Sequence, residues 1–87
     1  MGKRVLYVGG LTDTMTEWQL RTLFSAYGCV SRTHVVRHKH NQKSAGFAFV
    51  EMGSAESALN AVLALDGTEY GGQRLRLYVT PYAASTS

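Results

Sequence analysis

The chain has 87 residues, 45% of them hydrophobic, an ordinary content for one small globular domain and too high for wholesale disorder. Its net charge of +3 and pI near 9.3 hint weakly at an anionic partner. No apolar run approaches the ~20 residues of a membrane span, the lone Cys29 excludes an internal disulfide and CxxC metal sites, and Leu6 stands where a myristoylation motif wants Ser or Thr.

Residues 4–9 read as a first strand, with Leu6 and Val8 on one face and Tyr7 on the other. No signal peptide is expected ahead of it, so with the lone cysteine and no apolar span the chain reads as intracellular and cytoplasmic, or nuclear if it is a piece of a larger eukaryotic protein. After a loop at residues 10–15, Thr16 has the marks of a helix N-cap: Gln19 stands at capping-box spacing, and Met15 can staple onto Leu20. This helix extends to Tyr27 along the stripe Leu20, Leu23, Phe24 and Tyr27, and Gly28 ends it. A second strand covers residues 30–37; with Val35 inward, Arg32, His34 and Val36 share the opposite face. Residues 38–44 hold no apolar side chain and read as a loop, and the third strand follows at residues 45–52. Ser54 caps a second helix ending at Leu65, with Ala58, Leu59, Val62 and Leu65 inward. Asp66-Gly67 and Gly71-Gly72 read as turns around a short segment at residues 68–70. A last strand at residues 73–80 points Leu75, Leu77 and Val79 in and Arg76, Tyr78 and Thr80 out. The tail from Pro81 is small and polar apart from Tyr82.

The order βαββαβ predicts an α+β, ferredoxin-like sandwich, a four-stranded antiparallel sheet backed by two helices. The helices cover one face and leave the other open, as an antiparallel sheet permits. On the third strand, AGFAFVEM, Phe47 and Phe49 point one way while Ala48 and Val50 point the other. Two large rings side by side on an open face call for something to stack on them, and unpaired nucleic-acid bases fit. Gly46 adds no side chain to crowd the first ring.

Together with LYVGGL at residues 6–11, this octamer resembles the paired signatures of the RNA recognition motif family. Leu6-Tyr7-Val8 matches the aliphatic–aromatic–aliphatic strand, and Gly46 to Val50 match the run of glycine, aromatic, small, aromatic, aliphatic. The spacing of about 40 residues fits too, so the likeness spans nearly the whole chain. The resemblance implies that the two segments are adjacent central strands and that Tyr7, Phe47 and Phe49 form one triad that stacks bases of single-stranded RNA. It assigns residues 1–82 to the motif and leaves 83–87 as a short flexible tail. Two positions depart from the pattern. Ala45 stands where the family has a phosphate-pairing Lys or Arg, with Lys43 two residues upstream as its candidate replacement. Met52 stands at a structural, usually aromatic position that a soft side chain can fill.

Residues 30–49 carry Arg32, Arg37, Lys39 and Lys43, three histidines and no acid. A solvated loop is the bland reading. Beside the rings, phosphate contact by Arg37, Lys39 and Lys43 is the better one, adding affinity that salt removes. Arg32 and His34, and Arg76 and Tyr78 on the last strand, are candidates for base edges or phosphates; for each, an ordinary solvated sheet residue is an equal alternative. His38-Lys39-His40 supplies too few ligands for a metal and sets a cation between them, so neither metal nor cofactor is expected. No nucleophile triad, phosphate loop or inward pair of carboxylates suggests an enzyme; Gly9-Gly10 is no nucleotide fingerprint, and Cys29 reads as a small packing residue. Trp18 lies off the apolar stripe. The favoured reading folds it over the neighbouring loop, and the other makes it a protein contact on the helical face. The function expected is a monomeric single-stranded RNA-binding module, away from membranes, in post-transcriptional regulation or processing. A protein-interaction module using the helices, or single-stranded DNA binding on the same rings, are the alternatives.

Overall fold

Alternation of large apolar and outward residues builds the sheet of the computed structural model, which describes residues 4–80. The expected tail after Pro81, Tyr82 included, lies outside the described residues. Among these, the elements are β1 (Val5–Gly9), α1 (Glu17–Phe24) continued by a 3-10 turn (Ser25–Tyr27), β2 (Val30–Arg37), β3 (Ser44–Met52), α2 (Ala55–Leu65), β4 (Glu69–Tyr70), β5 (Gln73–Arg74) and β6 (Arg76–Val79). The large sheet has the order β2-β3-β1-β6, every pairing antiparallel, with the two signature strands at its centre. The ferredoxin-like fold is therefore as expected.

Leu6 and Val8 on β1, Val35 on β2, Ala48, Val50 and Met52 on β3 and Leu77 on β6 are all buried on one face of the sheet. Leu20 and Phe24 of α1 meet them, Phe24 with no exposed surface. A ring buried so fully makes Phe24→Ala a change of about 3–5 kcal/mol. Both helices start as the sequence requires. Thr16 Oγ1 accepts from Gln19 N at 3.2 Å while Gln19 Oε1 accepts from Thr16 N at 3.0 Å. Ser54 Oγ accepts from Ser57 N at 3.1 Å and caps α2.

Three expectations are corrected. On α2 the buried residues are Ala58, Ala61 and Leu65, with Val62 partly covered, whereas Leu59 is 52% exposed. Steps of three and four residues define that stripe, and Leu59 lies 100° round from Ala58. The last strand is not continuous. At Leu75 the chain turns to the loop ahead of it, donating from Leu75 N to Thr68 O at 2.7 Å and accepting at Leu75 O from Gly67 N at 2.8 Å. Residues 68–74 then form a hairpin, β4 to β5, whose turn places Gly71 and Gly72 at φ of +63° and +84°. Thr80, expected outward, is buried, and its N–H donates to Val5 O at 2.9 Å.

Each outer strand has one backbone N–H answered by a carboxylate. On β2, Val35 N donates to Glu17 Oε2 at 3.0 Å; on β6, Leu77 N donates to Asp66 Oδ1 at 2.9 Å. Each uses a backbone N–H that the ladder leaves unpaired.

Candidate nucleic-acid interface

Strand register arranges the open face into rows. Phe49 lies opposite both His34 and Tyr7, and Tyr7 lies opposite Tyr78, so His34, Phe49, Tyr7 and Tyr78 form one row across all four strands. The next row is Phe47, Gly9 and Arg76. Its centre has no side chain, and the ring of Tyr7 fills the space: a methyl group on Gly9 would stand 2.8 Å from Tyr7 Oη and 2.9 Å from Cε1.

The expected triad is thus brought together, and a fourth ring joins it. Tyr7 stacks on Tyr78 with centroids 4.8 Å apart and planes at 18°, and on Phe47 at 5.8 Å and 24°. Phe49 meets Tyr7 at 6.2 Å and Phe47 at 6.1 Å, edge to face in both cases. Such pairs hold one another in place, so a planar ligand meets a prepared surface. Tyr78 is 54% exposed, and the other three rings are half-buried. Gly46, just before Phe47, has a φ of +99°. A glycine is needed there by the backbone, at the register irregularity between the pairs Val35–Ala48 and Arg37–Ser44.

The cations divide into engaged and free. Arg37, expected at the phosphates, lies on the helical side. Its Nη1 and Nη2 donate to Glu17 Oε2 and Oε1, both at 2.9 Å, and Nη2 also reaches Met15 O at 3.5 Å. It is two residues beyond inward Val35, and alternation takes it to the same face. The paired guanidinium, helped by the N–H of Val35 and opposed by partial burial, holds the Glu17 carboxyl at about 2, down from 4.5. Glu51 draws Arg4 Nη2 to 3.2 Å and Arg32 Nε to 4.0 Å at one end of the platform. Lys43 lies 3.6 Å from Asp13, both more than half exposed, a pairing weak enough for a phosphate to displace. The side chains of Arg76 and Lys39 have no ion pair or hydrogen bond among the described residues. His34 is exposed beside Phe49.

Trp18 is 73% exposed, so it does not fold over the neighbouring loop, and Cys29 is exposed too instead of packed. Among the described residues no group of three or more His, Cys, Asp or Glu side chains is placed to hold a metal ion. Sequence reasoning missed Gly9 as the seat of the Tyr7 ring, Asp66 at the β6 edge and the stacking of Tyr78 on Tyr7. The first and third become readable only when the register of β1 with β3 and β6 is known.

A family model described as RNA recognition motif matches residues 6–76. The chain is 40% identical over 72 residues to the 33 kDa ribonucleoprotein, chloroplastic, of Nicotiana sylvestris, covering 83% of this chain and 22% of that protein. It is 39% identical over 72 residues to RbpB of Nostoc sp., covering 83% of this chain and 70% of RbpB. The solved structure of the Rna15 RRM with bound RNA (GU) superposes with a TM-score of 0.84 at 30% identity, over 92% of this chain and 85% of that one. The chain therefore spans just over a fifth of the Nicotiana protein and most of the other two.

Proposed function

The chain belongs to the RNA recognition motif family, and from that premise we propose that it binds short single-stranded RNA on the open face of its sheet, in post-transcriptional regulation or processing. The observation that carries this reading is the cluster of Tyr7, Phe47, Phe49 and Tyr78 on a face turned away from the helices. Bases stack on the rings, each worth about 1–3 kcal/mol. Arg76 and Lys39, with Arg32, His34 and Lys43 beside them, hold phosphates and base edges. The Rna15 structure, with RNA bound, supports the same use of the fold.

The proposed activity is binding without chemistry, by a monomer. The compartment is intracellular, where a free exposed thiol such as Cys29 stays reduced. The chloroplastic relative widens that from cytoplasm to organelles.

The test is titration of isotope-labelled protein with a pool of random RNA hexamers, followed by amide NMR. Shifts gather at Tyr7, Phe47, Phe49 and Tyr78, and Phe49→Ala weakens binding by about tenfold or more. A sheet that stays silent at high RNA concentration removes the reading. DNA hexamers in a parallel titration measure the contribution of the 2′-hydroxyls.

A second reading, a protein contact on the helical side, is favoured by the 73% exposure of Trp18. On α2, Leu59 and Leu63 also stand out, 52% and 74% exposed and one turn apart. Under this reading Trp18→Ala leaves RNA affinity unchanged and abolishes capture of a protein partner.

A further inference from the structure

Beside Tyr7 and Tyr78 the open face falls away over the edge of β6 into a groove of about 470 Å³, lined by Tyr7, Asp66, Arg76, Leu77 and Tyr78. A groove of that size holds a purine base with room for water. Two opposite charges stand in it, exposed and not joined by an ion pair. Asp66 Oδ1 accepts the N–H of Leu77, which fixes the carboxylate in the groove wall, and Oδ2 has no partner among the described residues. The Arg76 guanidinium is likewise uncommitted.

A fixed carboxylate is out of place where only phosphates are held, because it repels them. It suits a base edge rich in donors. Guanine alone among the RNA bases presents two adjacent donors, N1–H and N2–H2, on its Watson–Crick edge. It also presents O6 and N7, a pair of acceptors that an arginine takes together. The lone N3–H of uracil is flanked by two carbonyls that a carboxylate would repel. Adenine and cytosine offer an amino group next to an acceptor.

We infer that this groove is a guanine subsite, in which the base stacks on Tyr78, Asp66 accepts from N1–H and N2–H2, and Arg76 donates to O6 and N7. The inference rests on the sheet being an RNA platform. It adds a choice of base to a surface whose rings accept any base.

The test is fluorescence anisotropy with uridine hexamers carrying one central guanosine, adenosine, inosine or 7-deazaguanosine. The guanosine hexamer binds about tenfold more tightly than the adenosine one. Inosine, which lacks the N2 amine, and 7-deazaguanosine, which lacks N7, fall between them. Asp66→Asn keeps an oxygen for the N–H of Leu77 but replaces the second acceptor with a donor. That variant and Arg76→Ala each bring guanosine and adenosine hexamers to within about twofold. Should a substitution disturb the β6 edge, the base analogues on the unaltered protein still test the contacts. Measurable but equal binding of guanosine and adenosine hexamers overturns the guanine subsite and leaves the platform standing. A guanine preference untouched by either substitution overturns the assignment of these residues. Binding of no hexamer at all overturns both the subsite and the platform.

Discussion

Gly9 lies between Phe47 and Arg76 in its row, and its missing side chain is what lets the Tyr7 ring lie over the strand. Its φ is not in the left-handed region, so the backbone itself tolerates alanine. Gly9→Ala therefore separates platform from fold. The new methyl lifts the Tyr7 ring, RNA affinity falls about three- to tenfold, and the thermal midpoint moves by no more than a few degrees. Anisotropy and thermal unfolding on the same variant check this, and unchanged affinity would mean that the ring's position is not used. In the sequence Gly9-Gly10 reads only as the end of the first strand and is no nucleotide fingerprint. Tyr7, Phe47 and Phe49, by contrast, were legible at once, because period-two alternation and the octamer pattern place them without knowledge of register. Tyr78 was legible as outward but not as a stacking ring. Its neighbour across the sheet is 71 positions away in the chain, and no local signal links them.

Most of the polar contact between α1 and β2 is made by one carboxylate, beside a bond from Arg21 Nη1 to Val30 O at 2.9 Å. Glu17 accepts three hydrogen bonds, two from the guanidinium of Arg37 and one from the N–H of Val35. These favour the charged form, and the carboxyl pKa drops to about 2 from 4.5. A depressed folded-state value means stability that is fully present above about pH 4.5 and lost as pH falls toward 2. With the Glu17 side chain 39% exposed, solvent screening limits the contribution to about 1–2 kcal/mol. Glu17→Gln lowers stability at neutral pH by that amount and flattens the acid arm between pH 4.5 and 2. Urea unfolding at a series of pH values measures both effects, and an unaltered acid arm would refute the linkage. Alternation from Val35 already placed Arg37 on the helical side, so its removal from the phosphate set was readable in the sequence. Its partner was not, because the crossing of α1 over β2 sets that distance. Leu59 was misread for a related reason: Ala61, a weak hydrophobic signal, joins the expected Ala58 in the buried stripe by letting the helix approach closely.

Taken whole, the molecule's charge of +3 overstates the cations facing RNA. Among the described residues, Arg37 is bound to Glu17, Glu51 draws on Arg4 and Arg32, and Arg21 and Arg74 donate to backbone carbonyls, which leaves Arg76 and Lys39 free and Lys43 weakly held. With Arg76 assigned to a base edge, Lys39 and Lys43, joined by Arg32 if Glu51 releases it, make two to three phosphate contacts, which predict a slope of log affinity against log salt of about −1.4 to −2.1 for a single strand. Lys39→Ala makes the slope shallower by about 0.7, whereas Arg37→Ala leaves it unchanged and lowers stability instead. Titrations from about 50 to 200 mM salt distinguish the two residues. A slope that responds to Arg37 would return that side chain to the interface. Fold order and the open face followed from pattern, and the triad from the resemblance to the family. The distribution of charge between internal pairs and solvent needed the three-dimensional structure. The carboxylates of Glu17 and Asp66 on β2 and β6 bear on crowding as well. An RNA long enough for several copies brings their outer strands side by side at high local concentration. With each rim already answered by a carboxylate, neighbours have no bare ladder at Val35 or Leu77 on which to zip together. At those two positions an approaching strand meets a carboxylate in place of an open donor.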